Sequence, residues 1–71
     1  MMALAFAPLG RELVITKINA DDKLKRHLEN LGFIIGSTVT TVIAGSGDLI
    51  LRIKDCKVAL NKALALKIMV A

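Results

Sequence analysis

The sequence predicts a mainly β fold: a small barrel of about five strands, one short helix over about residues 21–31, and a short helical turn near the C-terminus. Three observations carry that expectation. Runs of β-branched and alternating residues recur along the chain, separated by short segments bearing glycine, asparagine or aspartate. One stretch departs to helical spacing, with Leu24, Leu28 and Leu31 at i, i+4 and i+7. A length of 71 residues, 55% of them hydrophobic, leaves room for one domain, residues 1–71, around one core.

Leu4 to Leu9, around Pro8, is an apolar entry segment able to form a turn of helix over one end of a core. Glu12 to Ile18 is rich in β-branched residues and reads as the first strand. Asn19-Ala-Asp-Asp22 then offers capping side chains and negative charge at the start of the helix. Gly32 can end that helix because it adopts the left-handed conformation without a side-chain clash. Phe33, one place further, is set to pack back on Leu28 in a Schellman ending.

Ser37 to Ala44 is a Thr-rich strand, suited to a half-exposed pleated surface. Gly45-Ser-Gly-Asp48 is a turn. Leu49 to Lys54 alternates, with Leu49, Leu51 and Ile53 inward and Ile50, Arg52 and Lys54 outward. Asp55-Cys56 reverses the chain into Lys57 to Leu60, where Val58 and Leu60 face the core. Asn61 is placed to cap a short turn through Leu66, and Ile68 and Val70 point inward from a closing strand. Short strands with such turns suit a closed barrel of the SH3-like kind, plugged at one mouth by Leu24, Leu28 and Leu31.

Catalytic chemistry is sparse. His27 is the only histidine and Cys56 the only cysteine, and no third group is evident to orient His27 as a base. No catalytic residue is expected. A lone cysteine excludes an intramolecular disulfide and fits a reducing compartment. A structural zinc site needs about four Cys and His ligands, which the chain does not supply. Asp21, Asp22 and His27 remain as a set able to hold a divalent transition ion, Fe2+ or Zn2+, weakly; both aspartates compete for that role with service at the helix N-terminus.

Other classes fare no better. Gly45-Ser-Gly-Asp48 leads into a strand rather than a helix, so it is no phosphate cradle. Nucleic-acid binding by a small barrel wants aromatic stacking platforms, and Phe6 and Phe33 are the only aromatics; the net charge of +4 alone supports that class. Residues 30–47 carry no formal charge, yet glycines and hydroxyls break any apolar run, so direct membrane insertion is not expected. Met1 to Gly10 lacks the basic start of a signal peptide, and the expected location is cytoplasmic.

Binding is what remains. An apolar fraction this high in a small domain leaves apolar side chains on the surface, which suits a partner contact or a homo-oligomer. Lys62-Ala-Leu-Ala-Leu66 holds more apolar positions than a short turn can bury, so Leu64 or Leu66 should stay accessible. Lys25 and Arg26, beside Lys23, form a basic helix face able to steer an acidic surface. Lys25, Arg26, Leu64 and Leu66 are therefore the candidate partner contacts.

Leu24-Lys-Arg-His-Leu-Glu-Asn-Leu-Gly-Phe-Ile-Ile-Gly36, then Thr38-Val39, Lys57-Val-Ala-Leu60 and Ala65-Leu-Lys-Ile-Met-Val70, resembles the FeoA family, the ferrous iron transport protein A domains. The resemblance runs from Leu9 to Val70. It implies an SH3-like barrel in the cytosol and a non-enzymatic accessory or regulatory role. The implied partner is FeoB, the membrane protein with a GTP-binding domain that imports ferrous iron and would recruit the chain to the inner face of the membrane. It also implies a place among transition-metal-ion-binding domains.

Two rival expectations stand beside this one. The first is a metal-sensing module resembling the SH3-like C-terminal domain of iron-dependent repressors; the second is a small basic nucleic-acid-binding barrel. The chain departs from the family pattern at Ile35, where the family commonly has proline, and at Asp55, where it has glycine. Ala63 and Leu64 replace acids. Those last changes remove carboxylates and make the surface greasier.

Overall fold

The computed structural model describes Met1–Ala71. Its strands are β1 (Met2–Ala3), β2 (Glu12–Ile18), β3 (Thr38–Ala44), β4 (Asp48–Ile53), β5 (Cys56–Asn61) and β6 (Ile68–Val70). The helices are α1 (Asp22–Asn30) and the single turn α2 (Lys62–Ala65), with a 3-10 turn at Leu4–Phe6. The strands pair antiparallel in the order β1-β6-β2-β3-β4-β5.

β2 is the hinge of this sheet. Its first half pairs with β3 and its second half with β6, the register shifting between Ile15 and Lys17. A shift of this kind bends a strand and increases its twist, which lets one strand serve two layers. The Thr16 hydroxyl donates to the Met69 carbonyl at 3.3 Å beside the shift. Between the layers lies one core that includes Leu13, Ile15, Phe33, Leu51, Ile68 and Val70. Leu49, Leu51 and Ile53 are buried while Arg52 is exposed, as the period-two pattern predicts.

Both helices begin on a capping side chain. The Asp21 carboxylate accepts from the Leu24 N–H and the Asn61 side-chain carbonyl from the Leu64 N–H, each at 2.8 Å. α1 ends in a Schellman motif: the Phe33 N–H donates to the Leu28 carbonyl at 3.0 Å and the Gly32 N–H to Glu29 at 2.9 Å. Gly32 has φ +105°, a conformation that strains any residue with a Cβ.

Four expectations need correction. There are six strands rather than about five, because Met2–Ala3 pairs with Met69–Val70 at the far end of the chain. Such a pairing leaves no local signal. Leu28 is fully buried and Leu24 half-buried, but Leu31 is exposed; the Schellman turn carries Phe33 over the core in its place. His27 is exposed as well. The last hairpin turns on Lys54-Asp55, with Ile53 opposite Cys56, and Lys54 takes φ +54° although it is not glycine. The ladder also stops at β5 and does not join β1, so the barrel keeps an open edge.

Candidate partner-binding surface

Phe33 and Gly36 fix the loop between α1 and β3 at both ends. Phe33 is held to Leu28 by the helix ending, and the Gly36 N–H donates to the Ile15 carbonyl at 2.8 Å. The Ser37 N–H donates back to Ile34 at 2.9 Å, closing a tight turn. Gly36 adopts φ +96°, so the chain can reverse there without strain. With Phe33 sealed in the core, Ile34 and Ile35 have nowhere to bury: they stand 40% and 60% exposed.

These two side chains form one wall of a groove of about 240 Å³; Ile18, Lys25 and Glu29 complete the lining. Ile18 is almost fully buried and supplies apolar floor. Lys25 and Glu29, four residues apart on α1, put one charge of each sign along the opposite wall. The volume falls below the roughly 300 Å³ at which small-molecule pockets begin. An apolar floor with charged lips suits an aliphatic side chain of another protein, its neighbours hydrogen-bonding at the rim.

The structure separates the residues expected from sequence. Lys25 lines the groove, whereas Arg26 is exposed on α1 outside it. Leu64 packs partly against the core, and Leu66, at the end of α2, is 45% exposed. The turn after α2 reaches the approach to α1, since the Asn19 N–H donates to the Lys67 carbonyl at 2.7 Å. Asp21, Asp22 and His27 are all exposed, and the Asp21 carboxylate is engaged in capping α1. No three His, Cys, Asp or Glu side chains come together as ion ligands. As placed, these side chains do not form a preformed site for a resident metal ion.

Ile34, Ile35, Ile18 and Glu29 were not singled out by sequence. One signal was available: two β-branched apolar residues follow a phenylalanine already committed to the helix ending, between two glycines.

A family model described as the FeoA domain matches residues 2–71. The chain belongs to the FeoA family. A relative from Methanocaldococcus jannaschii, named "Putative Fe(2+) transport protein A", is 36% identical over 70 residues, covering 99% of this chain and 85% of that one. Among solved structures, FeoA of Stenotrophomonas maltophilia, crystallised with zinc and described as an SH3 domain protein, is 27% identical with a TM-score of 0.85. The likeness covers all of this chain and 91% of that one. A manganese-dependent transcriptional repressor shares the fold at 20% identity and a TM-score of 0.83, over 93% of this chain and 38% of the repressor. The fold is therefore SH3-like. No helix is long and apolar enough to cross a membrane.

Proposed function

We propose that the protein is a cytoplasmic, non-enzymatic accessory of ferrous iron transport that binds the cytosolic GTPase part of an FeoB-type membrane transporter. The transporter draws it to the inner face of the membrane, and iron is the transporter's cargo. The observation that carries this reading is the preformed groove: a member of an iron-transport family holds two isoleucines out of its core on a loop pinned at both ends. A surface fixed before binding loses little freedom when a partner arrives. Lys25 and Arg26 steer acidic surface toward it, and Leu66 extends the apolar contact.

Calorimetric titration of the transporter's isolated cytosolic domain tests the reading. Binding with a micromolar dissociation constant is the expected result. No heat at concentrations on the order of tens of micromolar overturns it.

A second reading, a metal-responsive module, draws on the zinc in the Stenotrophomonas structure and the shared fold of the manganese-dependent repressor. It assigns weak Fe2+ or Zn2+ binding to Asp21, Asp22 and His27. NMR of the His27 ring during titration with Fe2+, Zn2+ or Mn2+ decides it. A saturable shift supports the metal-responsive reading and an unmoved ring rejects it.

A further inference from the structure

β5 ends the sheet. Its only ladder partner is β4, and the remaining backbone hydrogen bonds of the chain, those of loops, caps and turns, leave residues 54–60 untouched. In an antiparallel ladder every second residue turns its N–H and C=O away from its partner. The outer side of β5 therefore presents unpaired backbone groups over a strand of six residues, where the opposite edge, β1, has two. Cys56, Lys57 and Ala59 are exposed along it.

The charge on this edge is specific in register. Arg52 of β4 lies directly opposite Lys57 of β5, both exposed, with Lys54 at the tip of the hairpin and Asp55 its one acid. Like charges directly opposite one another destabilise a sheet. The side-chain hydrogen bonds are donated by Thr16 and accepted by Asp21 and Asn61, so none relieves the pair. One step along the same outward face the lining becomes apolar: Ile50 lies opposite Ala59 and also beside Ile43, which is 58% exposed.

We infer that the open edge of β5 is a docking site for an extended acidic peptide segment of a partner, which adds as a further strand. A carboxylate set against Arg52 and Lys57 relieves their repulsion. Two residues along, an aliphatic side chain packs beside Ala59 and leans toward Ile50 one strand further in, because side chains on one face of a strand recur with period two. The preferred sequence is acid, any residue, aliphatic. A second copy of this chain is the wrong occupant, since β5 itself carries a lysine and no acid to set against Arg52 and Lys57. The site lies on the outer face of β3–β5, apart from the groove on α1, and stands whatever that groove binds.

The probe is a blocked eight-residue peptide repeating glutamate, threonine, valine, threonine, titrated into the 15N-labelled full chain. The expected result is a set of amide shifts centred on Lys57 and Ala59, with slowed amide exchange there. The paired charge reversal Arg52→Glu with Lys57→Glu should weaken binding at least about tenfold. Unchanged Ile34 and Phe33 amide signals confirm that this variant is folded. Lys57→Glu alone should raise Tm, by converting a repulsive pair into an attractive one, while still weakening the peptide. Absence of shifts on β5, equal binding of an equally charged peptide with proline at alternate positions, or unchanged affinity of the double variant overturns the inference.

Discussion

Phe33 and Ile35 sit two residues apart in one glycine-bracketed loop, yet Phe33 has no exposed surface and Ile35 is 60% exposed. Both are large and apolar, so composition does not separate them. The difference is backbone geometry. The Schellman ending aims Phe33 back at Leu28 and the core, and the turn held by Gly36 and Ser37 aims Ile35 outward. One residue closes the barrel; the other builds a wall of its groove. Under the proposed partner contact, adjacent hydrophobic positions serve stability and recognition separately, and substitutions should separate the two.

The largest effect is expected at Phe33. Phe33→Ala removes a fully buried ring and should destabilise the fold by about 3–5 kcal/mol, read from denaturant unfolding. For a domain of this size that approaches the whole stability, so the variant should be largely unfolded at 37 °C. Gly32→Ala places a Cβ at φ +105° and should cost about 1–2 kcal/mol, although the nearest atoms, on Ile53, leave ordinary contact space. Asp21→Ala removes the cap on α1 and should cost about 1 kcal/mol. The smallest change in stability is expected at the other side of the comparison. Ile35→Ser should stay within about 0.5 kcal/mol of the parent, since no core contact is lost. A loss at Ile35 comparable to that at Phe33 would erase the distinction.

Much of the fold is legible in the sequence, and the part that is not has a physical reason. Helix caps, the Gly32–Phe33 stop and the inward row of Leu49, Leu51 and Ile53 are local patterns, and local patterns survive in a single sequence. β1 was invisible because Met2 and Ala3 become a strand only through pairing with β6 across the chain. The sequence points to a hairpin turn one residue late, at Asp55-Cys56, because lysine at positive φ is uncommon and Lys54 takes it. At the surface, Lys25 was legible as exposed and basic, but its placement beside Ile34 and Ile35 depends on how α1 sits across the end of β2. The sequence leaves open which of Leu64 and Leu66 stays accessible; the structure packs Leu64 partly against the core and leaves Leu66 exposed.

If the groove is a binding surface rather than a by-product of the loop, Ile35 carries part of the contact. The most direct measurement is a side-by-side calorimetric titration of the transporter's cytosolic GTPase domain with the parent and with Ile35→Ser. Burying an isoleucine side chain contributes roughly 1.5–3 kcal/mol, so the variant should bind at least about tenfold more weakly while melting at nearly the same temperature. Equal affinities in parent and variant would contradict the groove as the site of contact.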